Sequence, residues 1–379
     1  MGGLVRILVL DGGGIRGLLT AQVLVRLAAA IGRQGQEFAE TFHMIAGTST
    51  GGIMAAGLCA PGSRKHAPAD LVALYRDQGP EIFDRSFLGG LLNPVGALDE
   101  TYSADALEGI LRQRLGDAPL SQAGPELLVP AYDIGRACPK FFKSWRARQH
   151  PSQEFLLRDV ARATSAAPTY FEPALIYDLN EDPKIARQDR AYTLVDGGVF
   201  ANNPSMCALS EARRIYPVPG NRVLIVSLGT GGRQEAIAYR QARSWGKIGW
   251  ATKIVDVLMD GVADSVDYQL ATLADDRLLS WHRIQIELGD GGPKDAKQPL
   301  LTDEEGRKIT FQMDDVRPAT LAALVELGNQ AFEKFAARNG GDDLDRLVKD
   351  LTAPKADAFD VLGYDPDAQS PLDRFDIAG

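Results

Sequence analysis

Apolar positions arrive along the first sixty residues in two alternating rhythms. Leu4 to Leu10 is a block of branched residues broken only by Arg6, the pattern of a strand buried on both faces of a parallel sheet. After three glycines, Leu18 to Ile31 carries apolar residues at helical spacing. The same succession returns as a strand at Phe42 to Ala46, a glycine turn at Gly47 to Gly52 and a helix at Ile53 to Cys59. Two strand, turn, helix units in a row predict a mostly parallel central sheet with helices on its faces.

The alternation continues to about residue 232. Helical patterns cover Ala67 to Gln78, Ser103 to Leu115 and Leu156 to Thr164, and strand patterns cover Glu126 to Ile134, Lys140 to Trp145, Tyr192 to Val195 and Arg222 to Ser227. Between the first two helices, Glu81 to Asp99 reads as a loop with an apolar load: Ile82, Phe83, Phe87, Leu88, Leu91 and Leu92 among Gly and Pro. Later, Ala242 to Leu279 is mostly helical, His282 to Leu288 alternates like a strand, and Val316 to Ala337 is an amphipathic helix. Asn339 to Gly379, rich in Asp, Pro and Gly, is expected to be a loosely held tail behind a single domain of residues 1–338.

Composition narrows the function classes. Of 379 residues, 41 are basic and 50 acidic, a net charge of -9 that argues against a nucleic-acid polymer as partner and against a polybasic membrane anchor. No apolar run approaches the ~18 residues of a membrane span. Cys59, Cys138 and Cys207 are odd in number and widely spaced, so neither a disulfide framework nor a zinc site is indicated, and buried small hydrophobes are expected. The opening strand is too short for a secretion signal, which predicts a cytoplasmic protein.

Three short stretches carry candidate chemistry. Asp11-Gly12-Gly13-Gly14-Ile15-Arg16-Gly17 lies between a strand and a helix, where backbone N–H groups and the absence of side chains make an anion cradle. Gly12, Gly14 and Gly17 also satisfy a dinucleotide fingerprint, with Glu37 or Glu40 as its acid. Gly47-Thr48-Ser49-Thr50-Gly51 has the form of a nucleophile elbow, in which a strained turn exposes a serine Oγ. Asp196-Gly197-Gly198 follows a strand, and a buried aspartate there can take the serine proton directly. None of His43, His66, His150 and His282 sits in a setting that marks a catalytic base.

Together, and in this order, the three stretches resemble the patatin-like phospholipases. Ala163 to Phe171 and Val195 to Pro204 add to the likeness, which runs from residue 4 to about 232 and is thinner beyond. The resemblance implies a three-layer α/β/α sandwich. It implies Ser49 as acyl-accepting nucleophile, Asp196 as its base, Gly12, Gly13 and Gly14 as oxyanion donors, and Arg16 as support for that loop or its charge. It implies no cofactor, and no calcium loop is present, Asp342, Asp343 and Asp345 lacking the required Gly and Glu.

The expected activity is hydrolysis of glycerophospholipid acyl esters at a membrane surface, contacted through apolar side chains. Size and layout are similar to bacterial patatin-like anti-phage effectors, some of which a cyclic nucleotide switches on. The candidate partners are thus a phospholipid membrane, a cyclic nucleotide activator and a second copy of the chain. For a nucleotide, the candidate contacts are Arg243, Trp245, Lys247, Trp250 and Lys253. Two readings from other classes stay open: a dinucleotide-binding oxidoreductase, and a catalytically silent scaffold.

Overall fold

The computed structural model describes residues 4–83, 102–180, 182–216, 222–233, 239–246, 250, 253–275, 279–288, 302, 305–307 and 309–355. Strand β1 (Val5–Leu10) is central and buried at every position. Its alternate residues feed two separate cores. Leu8 and Leu10 join a large core with the helices α1 (Gly17–Ala30), α2 (Thr50–Cys59) and Pro318–Ala336. Val5, Ile7 and Val9 join a second core with helices Ser205–Ile215 and Ile254–Asp275. A strand apolar on both faces requires a layer of helices on each, which is the three-layer α/β/α arrangement expected.

The remaining strands are β2 (Met44–Gly47), β3 (Glu126–Asp133), β4 (Cys138–Lys143), β5 (Ala174–Tyr177), β6 (Ala191–Asp196), β7 (Val223–Leu228), β8 (Gly232–Arg233), β9 (Ser280–Ile284) and β10 (Glu287–Leu288). The main sheet runs β5-β6-β3-β2-β1-β7-β9, and β8 and β10 form a small second sheet. The pairings β3 with β2, β2 with β1, β1 with β7 and β7 with β9 are parallel, so these strands present their carboxyl ends on one side.

Strand β3 is where the parallel order breaks. β4 lines one edge of β3 from Leu128 to Asp133. The other edge is divided between two strands. β2 runs parallel along it as far as Ala46 opposite Leu128, and β6 runs antiparallel along the rest, ending with Asp196 opposite Ala131. The carboxyl ends of β2 and β6 therefore point at each other along a single edge, separated by Val129 and Pro130.

Two expectations need correction. The stretch expected as one strand from His282 to Leu288 is two, because Gln285 leaves the ladder and its side chain accepts from the Gly231 N–H at 2.8 Å. The tail does not begin at Asn339. Asp342–Thr352 is a helix whose Leu347 and Leu351 are fully buried, and burial of two leucines contributes roughly 3–6 kcal/mol. Its acidic outer face hides this periodicity in the composition. Buried Arg6 of β1 reaches its end and donates to the carbonyls of Leu351 at 3.0 Å and Ala353 at 2.6 Å. Residues 356–379 lie outside the described residues, as do Phe87, Leu88, Leu91 and Leu92 of the apolar loop. Cys59 is buried, whereas Cys138 and Cys207 are partly exposed.

Candidate active site

Ser49 follows Thr48 in the turn between β2 and α2, with φ 55° and ψ -126°, a backbone conformation that residues other than glycine avoid. The turn can be this sharp because Gly47 and Gly51 touch: a Cβ on Gly47 would lie 2.1 Å from the Gly51 carbonyl oxygen, and one on Gly51 would lie 2.2 Å from that of Leu10. Neighbours pin the turn. Thr48 Oγ1 donates to Ala201 O at 2.6 Å, and Thr50 bonds the hydroxyl of Tyr75.

The gap between β2 and β6 is filled by Thr164, which sequence reasoning did not single out although it falls in a stretch that carries the resemblance. The Ser49 N–H donates to Thr164 Oγ1 at 3.0 Å, and that hydroxyl donates in turn to Pro130 O at 2.6 Å. Pro130 has no N–H for the strand ladder, and its carbonyl is the anchor across the gap.

From the other side comes Asp196, almost fully buried. Its Oδ1 accepts from the Gly198 N–H at 2.7 Å. Burial pushes its pKa up to about 7, partly offset by the Ser49 hydroxyl and by that N–H, with no cation among the causes. Its Oδ2 is buried and makes no bond of hydrogen-bond geometry among the described residues, while the Ser49 hydroxyl is near enough to favour its charged form. Catalytic hydrogen bonds are often loose before substrate tightens them.

The glycine-rich loop lies against Ser49: a Cβ on Gly12 would come within 3.1 Å of the Ser49 Cβ. The expectation for Gly12 as an oxyanion donor is corrected here, because its N–H donates to the Asn202 carbonyl at 3.0 Å. The N–H groups of Gly13 and Gly14 make no hydrogen bond among the described residues. Gly14 has φ 59° and a Cβ there would meet Met313 O at 2.4 Å, so both its conformation and its surroundings require glycine. Arg16 holds the loop: its guanidinium donates to Gly13 O and to Gly231 O, each at 3.3 Å.

Behind the loop stands a buried ionic network that the sequence did not announce. Arg283 of β9 donates to Asp11 at 2.6 Å, to Asp267 at 3.1 Å and to Ser227 Oγ at 2.9 Å. Asp267 also accepts from Asn203 at 2.8 Å. These partners lie up to 272 residues apart in the chain, and no local motif marks Arg283 or Asp267.

In front of Ser49 opens an apolar cleft walled by Ile53, Phe83, Leu107, Tyr170, Phe171 and Met259. Phe83, Tyr102 and Phe171 pack ring against ring, and the Tyr102 hydroxyl donates to Asp314 at 2.7 Å. Such a cleft accepts an alkyl chain and offers little to a charged ligand. None of the four histidines lines it. His43 stands at the amino end of β2, where its Nδ1 accepts from the Arg6 N–H at 3.0 Å, and His282 stacks edge-on against Phe335.

The dinucleotide reading fails on position. Ligands of such folds lie at the carboxyl ends of the strands. Glu37 and Glu40 precede the amino end of β2, where Glu37 accepts from the Gly35 N–H and Glu40 pairs with Lys65, while the carboxyl end of β2 carries Ser49. Among the described residues, no group of three or more His, Cys, Asp and Glu side chains is placed to hold a metal ion.

A family model described as Patatin-like phospholipase matches residues 8–209, more than half of the chain. The chain belongs to the patatin-like phospholipase family. Among its relatives, Patatin-like protein 2 of Arabidopsis thaliana is 34% identical over 302 residues, covering 72% of each chain. Patatin-like protein 3 of the same plant is 33% identical over 377 residues, covering 89% of this chain and 82% of its own. Among solved structures, VipD from Legionella pneumophila aligns with 86% of this chain and 67% of its own, at 12% identity and a TM-score of 0.36, too distant to support an argument. Membership makes this patatin-like phospholipase a lipid acyl hydrolase acting on ester bonds. No helix among its described residues is long and apolar enough to cross a membrane.

Proposed function

We propose that the chain is a phospholipase A-type enzyme that cleaves acyl esters of glycerophospholipids at a membrane surface through a Ser49–Asp196 dyad. One observation carries the reading: β2 and β6 end head to head on one edge of β3, which brings a strained serine to a buried carboxylate of pKa about 7. A carboxylate of that pKa is half charged near neutrality and strong enough to accept a hydroxyl proton in the transition state.

The steps follow from the groups present. With the acyl chain in the apolar cleft, Ser49 Oγ attacks the ester carbonyl carbon as its proton passes to Asp196. The oxyanion forms beside the N–H groups of Gly13 and Gly14, donors of a kind worth about 3–4 kcal/mol each. Collapse breaks the ester C–O bond, and the departing lysophospholipid oxygen takes the proton from Asp196. Water, deprotonated by Asp196, then attacks the acyl-serine and releases the fatty acid with Ser49 restored.

The test is fatty-acid release from mixed phospholipid vesicles by the wild type, Ser49→Ala and Asp196→Ala, each with and without cyclic dinucleotides. Release by the wild type that both substitutions abolish is the expected result, and dependence on one nucleotide would identify an activator. A wild type that releases nothing in any condition, and whose serine a fluorophosphonate does not label, overturns the reading in favour of a silent scaffold.

A further inference from the structure

The wall of the cleft has an outer side. Met259, on helix Ile254–Asp275, lines the cleft beside Ser49. On the opposite face of the same first turns, Ile254, Val257 and Leu258 are 38–47% exposed, as is Trp250 just before them. Of nine large hydrophobic side chains that stand exposed among the described residues, six lie between Tyr239 and Tyr268. That is a patch rather than scatter, and such patches mark interaction sites.

Charge says what the patch meets. In a chain of net charge -9, the four basic residues of this stretch all lie in its first part, Tyr239 to Val255, which holds no acidic residue, and its four aspartates, Asp256, Asp260, Asp264 and Asp267, all follow along the helix. Arg240 and Arg243 are exposed and Lys253 is partly so, and none of the three makes a salt bridge among the described residues. Trp245 packs edge-on against Trp250 with ring centroids 5.1 Å apart, which orients an aromatic at the rim. Cations, a tryptophan and aliphatic side chains on one exposed face are the composition of a segment that lies in a lipid interface. Ions screen charge beyond ~10 Å at 0.1 M salt, so the local cations outweigh the acidic total.

We infer that the face formed by Arg240, Arg243, Trp250, Ile254, Val257 and Leu258 docks this enzyme on bilayers that contain anionic lipid. The inference rests on the phospholipase reading for its purpose, since a bilayer held there lies about one helix diameter, ~10 Å, from the cleft. It also reassigns Arg243, Trp245, Trp250 and Lys253 from candidate nucleotide contacts to the rim of a lipid-facing surface.

Co-sedimentation of the Ser49→Ala chain, which cannot hydrolyse its target, with vesicles of phosphatidylcholine alone or mixed with phosphatidylglycerol tests the docking apart from the chemistry. Binding is expected to the mixed vesicles, weakening with salt. Arg240→Gln, Arg243→Gln and Lys253→Gln combined should weaken it about 100-fold, at roughly fivefold per cation. Val257→Ser with Leu258→Ser should remove the binding that survives high salt. In the serine-intact chain, neither set should change fluorophosphonate labelling or hydrolysis of a soluble short-chain ester, which shows the variants folded. Equal binding to both vesicle types, or a triple variant that binds like its parent, overturns the inference. So does a dimer that Leu258→Ser dissolves and that shields the face from vesicles. Failure of the phospholipase reading registers separately, as a wild type inert toward the soluble ester.

Discussion

Asp11 and Asp196 occupy nearly the same local sequence. Each follows the last apolar residue of a strand and precedes two glycines, and each is almost completely buried. Burial raises both pKa values, to about 6 for Asp11 and about 7 for Asp196. What separates them is a cation. Asp11 has Arg283 at 2.6 Å, whereas Asp196 has one backbone N–H and a serine hydroxyl. A buried carboxylate locked to a guanidinium holds structure in place. One without a cation has only a proton left to balance its charge, which suits a general base.

Asp196→Asn tests the second half of this contrast and has the largest expected effect. Loss of the base should lower the rate on a soluble ester about 10,000-fold, as in serine hydrolases that lose the carboxylate of their triad. In the wild type, kcat/KM should rise with pH through about 7, because the aspartate must be unprotonated to accept a proton. Stability should move the other way. A carboxyl group whose pKa folding raises supports the fold fully below its unfolded value near 4 and loses that contribution as pH rises through about 7. The asparagine variant should therefore melt above the wild type at pH 8, with the gap closing toward pH 4. A variant that melts lower at pH 8 would show Asp196 to be structural after all.

Arg283→Met tests the first half. It leaves Asp11 and Asp267 buried without their cation, a loss of roughly 3–5 kcal/mol for a broken buried pair. Adding Asp11→Asn should recover part of that loss, since the stranded charge is then gone, and the coupling reads directly from a double-mutant cycle in urea. If Arg283→Met costs no more than a surface substitution, Asp11 needs no partner and the contrast with Asp196 collapses.

The comparison also says what the sequence can and cannot disclose. The strands from Leu4 and Phe42, the glycine turns after them and the aspartate after Val195 are local patterns. Their physics, glycine at close approaches and polar residues at strand ends, operates within a few residues. That is why the serine and aspartate are legible in the chain. The loss of Gly12 as a donor was not legible, because its N–H is taken by Asn202, brought there only when β6 packs against β3. Thr164, Arg283 and Asp267 act through contacts 16 to 272 residues distant, and a single sequence gives no sign of such pairs. The helix Asp342–Thr352 is hidden in the sequence for a different reason: its charged face dominates the composition while its two buried leucines do the packing.

The smallest expected effect concerns the serine itself. Ser49 differs from both aspartates in that its cost lies in the backbone, at φ 55° and ψ -126°, rather than in a buried charge. Such conformations cost of order 1–3 kcal/mol for residues with a Cβ. Ser49→Ala keeps the Cβ and should leave the urea midpoint near that of the wild type. Ser49→Gly removes the strain but adds chain entropy to the unfolded state, an offset of roughly 0.5–1 kcal/mol, so the net gain should be about 1 kcal/mol. Both variants should be inactive. A glycine variant more stable than the alanine variant means the strain belongs to the turn that presents the hydroxyl, so that exposing a nucleophile at the head of β2 is itself destabilising. Equal midpoints would mean that Thr164, Gly47 and Gly51 accommodate the turn without strain, leaving the burial of Asp196 as the main energetic burden of the site.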